Sequence, residues 1–396
     1  MKDYIQYLLS LEPKGIKLGL ERTEALLNTC NNPQKNFYSI QVIGTNGKGS
    51  TSAMIANILK VSGYKVGLYT SPHLCKINER IRINGQSISN ASIIDFIDRY
   101  KQNIEQLNSS FFETMTALAV WYFNQQNIDI AILETGLGGR LDSVTACDAN
   151  LLVCTSISKD HQHILGNTIN QIAYEKIYAL KKNMLCISIK HNQSIITTFN
   201  NHARLIHGKI NYVDSKKPNK HITLNGCHQL DNQALAIQAI KSLTKFNISS
   251  TNIKLGLAST KWPGRIQKIY DKPTVYFDVA HNDESFISLC NFIKTIQGLK
   301  VLILALQKNK KLNNSISVIE SNFDKIIITQ TNVRNYKPAN ELACIFNNKK
   351  VEIITDSKKA IQFYKKLSKF NTIIIAGSHY LGPIISQEFK ISFENI

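Results

Sequence analysis

Short, uninterrupted apolar runs alternate along this chain with longer stretches whose apolar residues recur at three- and four-residue spacing. The first kind predicts buried strands, the second amphipathic helices. In the first two thirds of the chain, the runs at 37–43, 64–69, 129–134, 151–157 and 184–189 read as strands. Helices are expected from the spacing of Ala53, Met54, Ala56, Ile58, Leu59 and Val61, then at 89–100 with Ser89 or Asn90 as N-cap, at 111–125 and at 168–182. Residues 1–36 read as helical on both sides of a break at Pro13-Lys14-Gly15, and 78–85 as an exposed, hairpin-like segment. From 190 to 226 the pattern weakens and reads as a β-rich excursion. Pro263-Gly264 marks a second break, after which strands are expected at 274–279, 300–306, 325–330, 351–355 and 372–377. Wholly apolar strands separated by helices imply mostly parallel sheets covered on both faces. The expected architecture is α/β in two units, 1–264 and a smaller 265–396.

The turn after the first strand is Gly44-Thr45-Asn46-Gly47-Lys48-Gly49-Ser50. Strand, glycine-rich turn and helix is the layout that holds phosphate: backbone N–H groups curl around the anion, the helix N-terminus adds positive potential, and the lysine adds a point charge. The loop is shorter than G-x-x-x-x-G-K-[ST], with Gly49 between Lys48 and Ser50. It predicts a nucleoside triphosphate site and makes the first unit a P-loop ATPase domain; the second unit is expected to be Rossmann-like. Ligands of such sheets sit beyond the carboxyl ends of the strands. That rule gathers Lys48, Ser50, Ser71, Glu134 and His161 on one rim. Hydroxyls and a carboxylate beside triphosphate suit Mg2+. Glu134 reads as a ligand, whereas His161 reads equally well as a structural histidine. Asp278-Val279-Ala280-His281-Asn282 repeats the polar strand end in the second unit, so a cleft between the units is expected to bind ligand.

Composition narrows the partners. With 43% hydrophobic and 19% charged residues the chain is globular. No apolar run approaches the ~20 residues that cross a bilayer, and Met1-Lys2-Asp3-Tyr4-Ile5-Gln6-Tyr7 lacks the apolar core of a signal peptide. Eight cysteines without a C-x-x-C pair indicate neither a zinc knuckle nor a disulfide framework. A cytoplasmic monomer is expected, with no membrane partner. The net charge of +19 is dispersed apart from clusters such as Lys216-Lys217 and Lys308-Asn309-Lys310-Lys311, with no basic stripe interleaved with stacking aromatics. No nucleic-acid partner is expected; the charge suits an anionic substrate.

Taken in order, the blocks Ile16 to Arg22, Gly44 to Ser50, Thr70-Ser71-Pro72-His73-Leu74, Asn78 to Gly85, Glu134 to Asp142, Asp160-His161, Glu175-Lys176, His228-Gln229 with Asn232, Trp262 to Arg265 and Asp278 to Asn282 resemble the folate-ligase family. This family comprises folylpolyglutamate synthases and bifunctional dihydrofolate/folylpolyglutamate synthases, relatives of the Mur ligases. The resemblance implies ATP-dependent addition of L-glutamate to dihydropteroate and to folates through an acyl phosphate. It implies Ser71, Glu134 and His161 as ligands of Mg2+, two ions in all, with K+ as a candidate further cation. It places Asn232, Arg265 and Asp278 on ATP with the 44–50 loop, Lys48 on its phosphates, and His281 near the transferred phosphate. Lys176 matches a carbamylated lysine. Ser110, Phe111, Phe112, Glu113, Leu141, Asp142 and Ser143 match the pterin pocket. Four segments depart from the pattern: Ile177-Tyr178-Ala179, Ser143-Val144-Thr145, Asp283 in place of a proline, and Gln307-Lys308-Asn309-Lys310, which lacks the aspartate of a Lys-Asp element. Two other readings are a Mur-type cell-wall ligase, disfavoured because only 43 residues precede Gly44, and a basic P-loop ATPase acting on nucleic acid.

Overall fold

The computed structural model describes residues 2–12, 19–214, 223–333, 335–347, 351–367 and 370–396. Two sheets organise it. The first contains β1 (Tyr38–Ile43), β2 (Val66–Tyr69), β3 (Ile81–Ile83), β4 (Gln86–Ser87), β5 (Ile130–Glu134), β6 (Leu151–Cys154), β7 (Leu185–Ile189) and β8 (Lys209–Val213). Their order is β4-β3-β2-β5-β1-β6-β7-β8, parallel from β2 through β8. The second contains β9 (Gln267–Tyr270), β10 (Thr274–Asp278), β11 (Lys300–Leu304), β12 (Lys325–Gln330), β13 (Val351–Asp356) and β14 (Thr372–Ala376), in the order β13-β12-β11-β14-β10-β9. Only β9, which the apolar pattern did not signal, runs antiparallel there. The expected two-unit α/β fold is the one observed.

Side chains alternate across β1 as a strand requires. Ile40 and Val42 pack with Met54, Ile55 and Ile58 of the helix Lys48–Val61 and with Leu235 and Ala236 of the helix Gln229–Lys241. Ile43 points the other way, to Ile172 and Ile177 of the helix Ile169–Ile177. Beside it, Ala131 and Leu133 of β5 meet Met115 and Leu118 of the helix Phe111–Gln125. With β1 and β5 sandwiched in this way, their carboxyl ends are held rigidly.

Two expectations needed correction. The 78–85 segment forms the β3–β4 hairpin but is not exposed: Glu79, Arg80 and Arg82 are all buried. Glu79 accepts the backbone N–H groups of Leu74, Cys75 and Lys76, so its polarity serves the preceding loop. The 190–226 stretch is not β-rich: it holds the helix Gln193–Leu205 and a single strand, β8, among its described residues. The Lys216-Lys217 cluster and residues 16–18 of the N-terminal resemblance lie outside the described residues.

The chain passes between the two sheets a second time. Residues 393–396 return from the second sheet to the β3–β4 hairpin, where Arg82 donates to Phe393 O at 2.8 Å and Glu394 O at 3.1 Å. Ile396 N–H donates to Gly85 O at 3.1 Å. Charged hydrogen bonds of this kind contribute roughly 1.5–3 kcal/mol each. Arg82→Ala is expected to destabilise the protein by about 2–3 kcal/mol and to raise amide exchange selectively at 393–396; uniform exchange with unchanged stability would refute the tether.

Candidate active site

The 44–50 loop is wedged between two walls. Gly44 (φ +144°) and Gly47 (φ +88°) adopt backbone conformations that side-chain-bearing residues rarely take, and a Cβ would come within 1.8 Å of Thr155 Oγ1 and 2.3 Å of Asn232 Oδ1 respectively. Gly49 is needed for a different reason: a Cβ there would lie 2.7 Å from Trp262 Nε1. Lys48 curls back over the loop, donating to Gly44 O (3.2 Å) and Thr45 O (3.1 Å). Burial pushes its pKa down, while Glu134 and Asp160 pull it up. Asn232 accepts from Thr51 Oγ1 and donates to Gln229 Oε1, which fixes the amide facing the loop.

The sheet order brings the ends of β2, β5, β1 and β6 side by side, and with them Ser71, Glu134, the loop and Asp160-His161. Glu134 is buried, and Ser71 N–H reaches its Oε2 at 3.3 Å. Burial raises its pKa against the pull of Lys48 and Arg265. Lys176, also buried, donates to Gly44 O at 2.8 Å. Burial and the neighbouring Lys48 bring its amine down to about 7. A carboxylate and a hydroxyl beside a phosphate loop are donors Mg2+ accepts. Among the described residues no group of three or more His, Cys, Asp or Glu side chains could hold a metal alone, so a cation here would need phosphate or water oxygens to complete its shell.

The second domain closes the cleft, a cavity of about 380 Å3. Arg265, Asp278 and His281 all line it. Asp278 also has a structural duty, accepting the N–H groups of Ile266 and Ala280, both at 2.7 Å. His281 Nδ1 meets Val279 O at 2.9 Å, leaving Nε2 3.5 Å from Asp160 Oδ2. Asp160 further accepts from Asn282 (3.3 Å) and from Lys310 through both oxygens (2.7 and 2.9 Å). Burial alone would raise its pKa, but His281, His161 and Lys310 hold it far below the carboxylate range. Asn46 exchanges hydrogen bonds with Asn282 and donates to Glu284.

The residues matched to the pterin pocket divide. Phe112 lines the cleft, whereas Phe111 is core and lies under the Arg80 guanidinium at 5.0 Å. Ser110 caps the helix Phe111–Gln125 in a capping box with Glu113, whose other oxygen accepts from Arg22 at 2.8 Å. Glu113 is thereby committed to holding that helix. Asp142 accepts from Leu137 N and Val144 N, Ser143 pairs with Thr116, and Leu141 is half-buried beside them.

Lys310, Asn282, Glu284 and Asp160 were not singled out as site residues. The strand-end rule could have found Lys310, which follows β11, as it found His281 after β10. Asp283, in place of a proline, accepts from Asn313 N and from Ser315 N and Oγ, tying down the loop that carries Lys310.

A family model for the glutamate ligase domain of Mur ligases matches residues 264–379. The dihydrofolate synthase/folylpolyglutamate synthase of Bacillus subtilis is 34% identical to this chain, over 95% of it and 96% of its own length. Among solved structures, E. coli FolC in complex with DHPP and ADP superposes with a TM-score of 0.88 at 25% identity, covering 98% of this chain and 97% of that one. A folylpolyglutamate synthase from Thermotoga maritima gives 0.83 at 28% identity, covering 100% and 98%.

Burial holds several histidines neutral: His73 and His161 at about 3, His191 and His228 at about 4, against an ordinary 6.5. Unfolded, each would protonate near 6.5, so the stability tied to their neutral form is complete above that pH and drains away toward 3–4. Thermal melts should show Tm falling between pH 6.5 and 4; a flat Tm would contradict the neutral assignment.

Proposed function

The chain belongs to the dihydrofolate synthase/folylpolyglutamate synthase family of ATP-dependent ligases, and from that premise we propose that it joins L-glutamate to both dihydropteroate and reduced folates through an acyl phosphate. The observation carrying this reading is that Lys48 and Glu134 face Arg265, Asp278 and His281 across one cleft. The loop N–H groups and Lys48 hold the β- and γ-phosphates, and Asn232 and Asp278 border the nucleotide. The substrate carboxylate attacks the γ-phosphorus, and ADP leaves. The glutamate amine then attacks the acyl carbon, loses its proton, and phosphate departs. Such transfer needs alignment and charge neutralisation more than covalent help, which Lys48, Arg265 and His281 are placed to give. A divalent cation bound by Glu134 and Ser71 would neutralise phosphate charge. The closed cleft keeps water from the acyl phosphate.

Phe112, which lines the cleft, forms the pterin wall; Ser110, Phe111 and Glu113 hold the helix that presents it, and Asp142 and Ser143, which do not line the cleft, fix the adjoining turn. Lys176 is carbamylated: burial and Lys48 bring its amine down to about 7, so a substantial fraction is the neutral nucleophile at neutral pH. The nitrogen attacks CO2, a proton leaves, and Lys48 gains an anionic neighbour in place of a competing cation. The enzyme acts as a cytoplasmic monomer.

Glutamate-dependent phosphate release is expected with dihydropteroate and, separately, with tetrahydrofolate. Activity with the folate alone would remove the synthase half, and activity with neither would overturn the reading. Labelled bicarbonate is expected to give a carbamate carbon resonance absent from Lys176→Ala, whose turnover should fall about 10–100-fold or more, the usual cost of losing a group that orients the site. A missing resonance with full Lys176→Ala activity would refute the modification.

A further inference from the structure

The Lys310 side chain reaches between two groups that would otherwise invite a metal. Its Nζ lies 2.7 and 2.9 Å from the Asp160 oxygens and 3.3 Å from His161 Nε2, and its side chain is only 10% exposed. An ammonium can only donate, so His161 Nε2 accepts and the ring proton sits on Nδ1. The lysine is not a surface side chain that happens to reach inward. Its backbone carbonyl accepts from Lys337 Nζ at 3.0 Å, its N–H donates to Gln307 O at 3.0 Å, and Lys308 N–H donates to Asn335 O at 2.7 Å. Downstream, Asp283 pins Asn313 and Ser315. The loop therefore delivers one positive charge to a fixed point on the opposite domain.

The same point is where the resemblance implied a metal ion on His161. A divalent cation ligated through His161 Nε2 would stand within a few ångströms of the Lys310 ammonium, beside Asp160 and Lys310 side chains only 12% and 10% exposed, where charge repulsion is only partly screened. Among the described residues, Glu134 and Ser71 have no such competing cation in hydrogen-bond contact. The segment 307–310 is also where this chain has no carboxylate and the resemblance implies one.

We propose that the Lys310 ammonium takes the place of a second divalent cation, so that the site binds one metal ion with its nucleotide, at Glu134 and Ser71, and none at His161. Lys310 is thus a positioning residue that supplies, from the second domain, a fixed charge on Asp160 and His161. The inference rests on the nucleotide site of the proposed function.

The test is a titration of free Mn2+ by electron paramagnetic resonance, with the full-length protein and an equimolar, non-hydrolysable imido analogue of ATP. Wild type and Lys310→Arg should each bind one Mn2+ per chain. Lys310→Met should bind a second, and Lys310→Met combined with His161→Ala should return to one. Two Mn2+ in wild type would overturn the proposal whatever the variants do, as would a single Mn2+ in a folded Lys310→Met. Failure of wild type to bind the analogue at all would overturn both this proposal and the ATP site beneath it.

Discussion

Asp160, at the end of the loop leaving β6, accepts hydrogen bonds from Asn282 and Lys310 of the second domain and lies 3.5 Å from His281 of the same domain. A carboxylate this enclosed is costly to bury alone and is tolerated only where opposite charge and donors satisfy it. None of its second-domain partners is in sequence proximity to it. The pairing therefore depends on both sheets being complete and correctly opposed. Much of the cleft follows: His281 and Lys310 are held against the P-loop side, Asn46 reaches Asn282 and Glu284, and the phosphate loop faces polar groups rather than solvent.

The chemistry follows from the same crowding. Lys48, Arg265 and Lys310 share one cleft with Glu134, Asp160 and Asp278. Glu134 and Asp160 pull the Lys48 pKa up against its burial, and Lys48 and Arg265 pull the Glu134 pKa down against its own. Nucleotide phosphates entering this space meet fixed cations and a preorganised loop. In the proposed reaction, that arrangement would stabilise charge developing in phosphoryl transfer without reorganisation at the moment of reaction.

The sheets, the phosphate loop and the strand-end position of Glu134 were legible because each rests on local rules: apolar periodicity, glycine spacing and the carboxyl-end location of ligands. Glu79 and Arg82 were misread as exposed because polarity alone cannot separate a solvated hairpin from one whose charged groups bind backbone. Glu79 caps a loop and Arg82 holds residues 393–394, partners that periodicity does not record. The Lys310–Asp160 pair escaped for the same reason, since 150 residues separate its members. Glu113 shows the converse: its place at the third position of a helix after Ser110 marks a capping box, a local signal that a structural duty was available to it.

The central claim, that this cleft transfers a phosphoryl group to a carboxylate before the amide forms, is tested most directly by labelling. Dihydropteroate carrying heavy oxygen in its carboxylate is turned over with ATP and L-glutamate, and the released phosphate is weighed by mass spectrometry. Transfer through an acyl phosphate predicts one labelled oxygen in each phosphate released in the ligation. Unlabelled phosphate, with amide product formed, would contradict the account.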